Sequence, residues 1–138
     1  MQSSGVHRSV DLLFFDVLGR VLLQFRDGDA LSAPLTWGFW GGQVDAGDAS
    51  IEYAAAREAH EELTIELDAA DFTRCGLRVG SDGGQAYLLR CHRTVGWRDI
   101  DIREGSGAAF FTVSELRQVS LTKAVRFYLE RQPELFSR

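Results

Sequence analysis

The sequence contains few of the residues that cross-link small or secreted proteins. Only two cysteines occur among its 138 residues, Cys75 and Cys91, and their spacing matches no zinc motif. One pair of cysteines is too few for a disulfide framework, so we interpret both as small, reduced core residues. A chain of this length buries enough apolar surface to fold without such links. We expect one domain that covers residues 1–138.

Prolines, positive charge and long apolar runs are also scarce. Only two prolines occur, and the chain has no proline- or serine-rich linker and no internal repeat. The net charge of −5 argues against broad electrostatic binding to duplex nucleic acid. Metal cations could still bridge the chain to a phosphate ligand. Near the N-terminus, no apolar stretch is long enough for a signal peptide or membrane span before Asp16. We expect a soluble, cytoplasmic protein without membrane contacts.

Hydrophobic periodicity predicts strands interspersed with helices. Two apolar runs around a turn at residues 18–20 predict a hairpin, and residues 27–48, rich in Gly, Asp and aromatics, indicate an ordered functional loop. Further strands are predicted at residues 72–80, 85–95 and 107–113, and helices at residues 50–63, 114–119 and 121–132. This pattern is typical of an α/β domain with helices packed on a sheet.

The predicted helix at residues 50–63 carries charge on its apolar side. At about 100° per residue, one broad sector contains the apolar residues Ile51, Ala54, Ala55, Ala59 and Leu63. Glu58 and Glu62, spaced i, i+4, fall inside that sector. Glu61 lies at its edge, next to Arg57. A solvated helix face explains the Arg57–Glu61 pair, but it does not explain two like charges turned toward a core.

A divalent cation would relieve the repulsion between Glu58 and Glu62 and their loss of solvation. Hard cations take carboxylate oxygens as ligands, and the small alanines nearby leave room beneath the two side chains. On this geometry alone, a metal site and an ordinary charged helix are equally open.

Together with the preceding loop, this helix resembles the signature of the Nudix (MutT-like) hydrolases. That signature is a glycine, five residues, a glutamate, seven residues, then R-E-apolar-x-E-E-x-G-apolar; the matching segment is GGQVDAGDASIEYAAAREAHEELTI, residues 41–65. Gly42 fits the signature glycine, and the core REAHEEL is intact. Asp48 stands where a glutamate is usual, eight residues instead of seven separate it from Arg57, and Thr64 replaces a glycine. We interpret Asp48 as structural.

The resemblance implies an α/β/α sandwich with a mixed β-sheet and helices on both faces. It also implies a hydrolase that cleaves a nucleoside diphosphate linked to another group, X, by attack of water on phosphorus. The implied cofactor is Mg²⁺, with Mn²⁺ as a substitute. By resemblance, the metal ligands would be Glu58, Glu61, Glu62 and the Gly41 carbonyl, and Arg57 would orient a neighbouring carboxylate. Homodimers are frequent in this family, but no residue here identifies a partner surface.

The reaction also needs a general base. Nudix enzymes often carry a further glutamate in a loop well after the signature, used as a ligand or a base. Glu104 is the best candidate, because it precedes a glycine-containing loop that leads into a predicted strand. A solvent-exposed loop glutamate is the other interpretation of Glu104, and Glu58 is the alternative base.

Aromatic and cationic residues near the signature are candidates for substrate binding. Trp37, Phe39 and Trp40 crowd the entry to the metal loop and could stack on a base. Core packing beneath the loop is the alternative for each of the three. Tyr87, on a later strand, could face the pocket or the opposite side. Cationic candidates for phosphate contacts are Arg78, Arg90 and Arg93.

Two other functions compete with the hydrolase. The first is a Nudix-fold nucleotide-binding module that has lost turnover, which the departures at Asp48, at the inserted residue and at Thr64 favour and the intact REAHEEL opposes. The second is an isopentenyl diphosphate isomerase, which shares this architecture and needs an active-site cysteine. Neither Cys75 nor Cys91 lies in a recognisable context for that role.

Overall fold

A computed structural model describes residues 6–26, 35–103 and 107–138. Within these ranges the strands are β1 (Arg8–Leu13), β2 (Val21–Arg26), β3 (Thr36–Gly38), β4 (Trp40–Gln43), β5 (Phe72–Val79), β6 (Gln85–Cys91) and β7 (Gly107–Phe111). The α-helices are α1 (Ile51–Leu63), α2 (Val113–Leu116) and α3 (Lys123–Arg131). No helix of the described ranges has the length and apolar character needed to cross a membrane.

The strands form two sheets. The first is four-stranded and mixed, in the order β4-β1-β6-β5, with β1 parallel to β6 and the other pairs antiparallel. The second is three-stranded and antiparallel, in the order β3-β2-β7. The predicted α/β class with a mixed sheet is therefore confirmed.

Helices cover the two faces of the four-stranded sheet. Side chains alternate along a strand, and in β1 Val10 and Leu12 pack into a core with α1, whereas Leu13 packs into a second core with α3. Tyr128, from α3, is almost fully enclosed in the second core. The predicted arrangement of helices on both faces is confirmed.

Helix α1 begins and ends where local signals place its boundaries. Ser50 is the N-cap, and its side chain accepts a hydrogen bond from the Tyr53 N–H at 3.0 Å. Thr64 ends the helix in the left-handed backbone region, with φ of 60°. This conformation costs a residue with a Cβ about 1–2 kcal/mol, which explains why the Nudix signature has glycine there. The Thr64 hydroxyl donates to the Asp101 carbonyl at 2.9 Å, which offsets part of that cost.

The predicted hairpin between the first two strands is wrong, although its turn is present. The Asp16 carboxylate accepts hydrogen bonds from the N–H groups of Leu18 and Arg20, and Gly19 has φ of 80°. Only an isolated bridge between Phe15 and Val21 joins the two chain segments, and β1 and β2 enter different sheets. β2 is buried over its first four residues, and β1 is buried at Val10, Leu12 and Leu13. Such a pattern predicts strands but does not specify their neighbours.

The predicted loop at residues 27–48 also contains two short strands, β3 and β4. The glycines in these strands allow close contacts with neighbouring residues. Because they have no side chain, they also interrupt the apolar pattern by which a strand is recognised in a sequence. A Cβ on Gly38 would lie 2.7 Å from the Thr122 methyl group, and a Cβ on Gly41 would lie 1.9 Å from the Val10 carbonyl oxygen. Residues 27–34 lie outside the described ranges.

Candidate active site

Helix α1 turns two glutamates toward the sheet, as the sequence predicts. Glu58 and Glu62 are buried, with 9% and 4% of their surfaces exposed, among the alanines of the helix. In contrast, the Glu61 side chain is 54% exposed. The apolar face of α1 therefore carries two carboxylates one turn apart.

The paired glycines of β4 lie directly against these carboxylates. The Gly41 N–H donates to Glu62 Oε1 at 2.7 Å. Because β4 is an edge strand, an N–H that points away from β1 has no strand partner and is available to a side chain. A Cβ on Gly42 would lie 2.6 Å from Glu58 Oε2. The absence of side chains at both positions is what allows the glutamates to approach this strand.

Arg57 donates hydrogen bonds to three carboxylates at the candidate site. Its Nε and NH2 groups each donate to the Asp48 carboxylate at 2.9 Å, and its NH1 group donates to Glu58 at 3.1 Å and to Glu61 at 3.0 Å. Its NH2 group also donates to the Gln43 carbonyl at 2.9 Å. Asp48 thus connects to Arg57 through two parallel hydrogen bonds despite the extra residue before the helix.

The Asp48–Arg57 pair is electrostatically strong because it is largely enclosed. The side chain of Asp48 is 2% exposed and that of Arg57 is 21% exposed. The hydrogen bonds from Arg57 lower the pKa of Asp48 below its ordinary value, although burial alone would raise it. The same hydrogen bonds raise the pKa of Arg57. The pair therefore remains ionised at neutral pH and supports the loop that precedes α1.

The chemistry of this donor set suits a hard divalent cation. Carboxylate and carbonyl oxygens are the ligands that Mg²⁺ and Mn²⁺ prefer, and Gly41 and Gly42 leave space beside Glu58 and Glu62. In the described part of the chain, no three Asp, Glu, His or Cys side chains are already grouped as a metal cluster. Glu62 contacts Gly41, whereas Glu58 contacts Arg57. A bound cation would therefore share or replace these contacts.

The aromatic residues of the loop lie mostly in the core. Trp40 is fully buried with α1, so its ring has no face available to a ligand, and the prediction that it stacks on a base is corrected. Trp37 packs on Phe25 and Phe111 at centroid distances of 5.0 and 4.9 Å. Both tryptophans occupy the positions that the packing alternative predicts, because their large apolar rings fill the space between strands and helices.

Phe39 and Tyr87 lie on opposite sides of the four-stranded sheet. Phe39 is 8% exposed, packs into the second core, and lines a cavity of about 520 Å³. Tyr87 packs on the core beneath α1, and the Arg74 guanidinium lies 5.1 Å from its ring centroid. Among the four predicted aromatic contacts, Phe39 alone borders this cavity in the described ranges.

The cavity brings together groups that the sequence does not connect. Its described lining consists of Asp11, Arg26, Gly38, Phe39, Arg78, Thr122, Lys123 and Ala124. Asp11 pairs across β1 and β4 with Gly41, and Gly41 donates to Glu62. Asp11 alternates with Val10 and Leu12, so the cavity lies on the α3 side of the sheet, and one cross-strand pair at the sheet edge links it to the buried glutamates.

Three polar atoms near this cavity are buried without a hydrogen-bond partner among the described residues: Asp11 Oδ2, Arg78 Nε and the Tyr128 hydroxyl. Each such group costs about 1–3 kcal/mol in a folded protein. Burial raises the pKa of Asp11 to about 6, although Arg78 lowers it in part. Between about pH 4 and pH 6, the folded state then binds a proton that the unfolded state has released, so stability falls as pH rises through this window. Asp11 is thus a destabilising residue at neutral pH.

The other predicted residues are placed as follows. Arg78 borders the cavity, whereas the Arg90 guanidinium lies 4.8 Å from the ring centroid of Phe15 and Arg93 donates to the Glu66 carbonyl. Glu104 lies outside the described residues. Sequence reasoning missed Asp11; the signal was a charged residue between the apolar Val10 and Leu12 in β1.

Comparison with known proteins identifies the family. Residues 5–131 match the model of the NUDIX domain. A MutT NUDIX hydrolase from Burkholderia pseudomallei has a similar structure, with a TM-score of 0.74 and 26% identity over 94% of this chain and 99% of that chain. A structure from work on MutT of Aliivibrio salmonicida and Vibrio cholerae gives a TM-score of 0.76 at 19% identity, over 92% of this chain and 96% of that one. The NUDIX domain of Shewanella oneidensis NrtR, complexed with ADP ribose, gives 0.71 at 17% identity, over 98% and 91%. No curated protein matches significantly in sequence.

The chain therefore belongs to the Nudix family, because the family model spans nearly all of it. It is a hydrolase of the class that acts on diphosphate bonds. Enzymes of this family generally use divalent metal ions. The resemblance predicted from residues 41–65 is confirmed.

Proposed function

We propose that residues 1–138 form a single Nudix domain that cleaves a nucleoside diphosphate linked to another group in a Mg²⁺-dependent reaction. The observation that carries this proposal is the pair of buried glutamates, Glu58 and Glu62, against Gly41 and Gly42. Two carboxylates turned into a protein interior repel each other and lose solvation. A cationic ligand explains their position better than a solvated helix face does.

The residues that would hold the cation are Glu58, Glu61, Glu62 and the carbonyl of Gly41. Mg²⁺ held by these residues, or Mn²⁺ in its place, would supply positive charge that offsets the phosphate charge repelling an attacking water. The chain supplies the geometry, because α1 fixes Glu58 and Glu62 one turn apart and Arg57 orients Glu58 and Glu61. The attack of water on phosphorus then needs a base, for which Glu104 and Glu58 are the candidates.

The cavity lined by Asp11 and Phe39 suits a nucleotide. Its lining combines the apolar ring of Phe39 with the cationic side chains of Arg26, Arg78 and Lys123, in a protein whose net charge is −5. Nucleotide pockets commonly join an apolar wall to a few placed polar groups. A local cluster of positive charge favours an anionic ligand even when the whole protein is acidic.

The binding-module alternative loses much of its support. Asp48 still holds Arg57 with two hydrogen bonds, and Thr64 adopts the backbone conformation expected of the usual glycine. The isomerase alternative is also weakened, because neither cysteine is among the described residues that line the cavity. Burial raises the pKa of both Cys75 and Cys91, as expected of core thiols. A cytoplasmic location and a homodimer stay predictions.

A substrate panel tests the proposal directly. Nucleoside triphosphates, nucleotide sugars, dinucleoside polyphosphates and ADP-ribose would be incubated with Mg²⁺, with Mn²⁺ and with EDTA. Chromatography should read the products, because some substrates release only monophosphates. We expect turnover of at least one class with metal and none with EDTA. Metal binding by calorimetry without any turnover would instead support the binding module.

Gly42→Ala should reduce activity more than stability. The new Cβ would meet the Glu58 carboxylate at 2.6 Å, so this flexible side chain would move away from its position against β4. We expect kcat/KM to fall by about 10-fold or more, and the free energy of unfolding to fall by only about 1 kcal/mol. Kinetics at saturating Mg²⁺ and thermal unfolding measure the two effects.

Two neighbouring glycines provide controls for that substitution. Gly47→Ala meets no atom within 4 Å and should leave both quantities unchanged. Gly41→Ala should lower the free energy of unfolding by about 2–5 kcal/mol, because its φ is 139° and its Cβ would overlap the Val10 carbonyl. Equal activity of the Gly42 and Gly47 variants would show that the Glu58 carboxylate does not take part in the reaction.

Glu104→Gln tests the general base that the sequence predicts. Glutamine is almost isosteric with glutamate but cannot accept the proton, so we expect kcat to fall by about 10²–10⁴-fold. The acidic limb of the pH–rate profile should change with it, while thermal stability should be nearly constant. If the profile is unaltered, Glu58 becomes the leading candidate for the base.

A further inference from the structure

Asp11 and Arg78, which line the cavity, and Tyr128, which packs on the Phe39 of its lining, have more hydrogen-bonding capacity than the fold uses. Asp11 Oδ2, Arg78 Nε and the Tyr128 hydroxyl are buried and lack hydrogen-bond partners in the described ranges. The Arg78 NH2 group lies 3.6 Å from Asp11 Oδ2, which is close enough for an ion pair but too long for a hydrogen bond. These groups come from β1, β5 and α3, so the tertiary structure brings them together from distant parts of the chain.

The hydrogen-bonding chemistry of Asp11 and Arg78 determines which donors and acceptors a complementary ligand must present to them. An ionised carboxylate only accepts hydrogen bonds, and a guanidinium only donates them. Basic side chains line the cavity together with Asp11: Arg26 on β2, Arg78 on β5 and Lys123 on α3. The phenol of Tyr128, whose pKa burial raises to about 12, stays neutral. A complementary ligand therefore presents N–H donors to Asp11 and an adjacent carbonyl oxygen to Arg78.

We propose that Asp11 and Arg78 determine base specificity by binding a nucleobase edge that carries a ring N–H and an exocyclic amino group beside a carbonyl oxygen. Among the common nucleobases, guanine has this edge. Adenine presents a ring nitrogen acceptor to the carboxylate and an amino group to the guanidinium, so both contacts become repulsive. This inference rests on the proposed function, because it assigns the base of the nucleotide to this cavity.

The test compares three nucleoside monophosphates that differ only at this edge. GMP has both donors and the carbonyl, IMP lacks the exocyclic amino group, and AMP lacks the carbonyl as well as the ring N–H. Calorimetry with the full chain, without metal, should give the affinity order GMP, IMP, AMP. We expect the difference between GMP and AMP to be about 5- to 150-fold, which is typical of one bidentate base contact.

Two variants separate the roles of the carboxylate and the guanidinium. Asp11→Asn replaces one acceptor by a donor, so the preference of GMP over IMP should disappear and AMP should bind relatively better. Arg78→Lys removes the Nε donor, so GMP and IMP should weaken together while AMP changes little. Asp82→Asn, in the exposed turn between β5 and β6, is the matched control and should keep the wild-type order.

Each outcome bears on a different proposal. If wild-type protein binds AMP as tightly as GMP, or if Asp11→Asn keeps the wild-type ratios, base recognition by Asp11 is overturned. In that case ordered water alone satisfies the three buried atoms. Metal-dependent turnover of the substrate panel would still support the hydrolase. Conversely, GMP selectivity without any turnover would uphold the base assignment and reject the proposed reaction.

Discussion

Glu62→Gln is expected to abolish hydrolysis while it leaves the fold intact. Glutamine keeps an oxygen that can accept the Gly41 N–H, which the carboxylate now accepts at 2.7 Å. It loses the negative charge that a divalent cation requires. Loss of a direct ligand should exceed the 10- to 100-fold effect typical of residues that only support a ligand, so we expect kcat to fall more than about 100-fold.

The matched control for this variant is Glu130→Gln, which makes the same chemical change at an exposed position of α3. Its kcat and metal affinity should equal those of the wild type. Turnover should be measured at saturating Mg²⁺, with metal affinity by calorimetry and folding by thermal unfolding. Near-normal turnover of Glu62→Gln under these conditions would contradict its assignment as a metal ligand.

Arg57→Ala should produce the largest loss of stability among the polar substitutions. It would leave the Asp48 carboxylate, whose side chain is 2% exposed, without its two arginine hydrogen bonds. Removing one partner of a buried ion pair typically costs about 3–5 kcal/mol. Activity should fall as well, because Glu58 and Glu61 lose the group that orients them.

Arg74→Ala provides the exposed comparison for Arg57. Arg74 also pairs with a glutamate, Glu52, but its side chain is 47% exposed. An exposed pair contributes about 1 kcal/mol or less, so chemical denaturation should distinguish the two variants clearly. Equal losses of unfolding free energy would show that enclosure does not strengthen the Arg57 network.

The pH dependence of stability gives the Asp48–Arg57 pair a second test. The pKa of Asp48 is lower in the folded state than its ordinary value, since Arg57 donates to it. The contribution of the Asp48 carboxylate to the free energy of unfolding is therefore complete above the unfolded-state pKa of about 3.9. It is lost as pH falls through the lower folded-state pKa. The difference in unfolding free energy between the wild type and Asp48→Asn should be constant near neutrality and should shrink in acid. A difference that stays unchanged into strong acid would contradict this origin.

Helix α1 illustrates how much of the site could be read from local patterns. Ser50 caps the helix, the alanines repeat at helical spacing, and Glu58 and Glu62 fall on the apolar side. Each of these features depends only on residues a few positions apart. The burial of Glu58 and Glu62 therefore follows from helical geometry, because one face of the helix is apolar and both residues fall on it.

Trp40 and the strand neighbours of β1 show where such patterns fail. An aromatic residue beside a functional loop is equally compatible with a ligand pocket and a core, and the core contains Trp40. The buried apolar residues of β1 predict a strand but do not distinguish pairing with β2 from pairing with β4 and β6. Pairing depends on the whole set of strands that compete for each edge.

The proposed metal site was encoded locally, because its glutamates, glycines and supporting arginine lie within 25 residues, from 41 to 65. The cavity lined by Asp11 and Arg78 was decided by tertiary packing alone. Asp11, Arg78 and Tyr128 belong to β1, β5 and α3, and no short-range periodicity relates them. Sheet order and the docking of α3 bring their polar atoms together, since a folded core places residues according to shape and burial and not according to their distance along the chain.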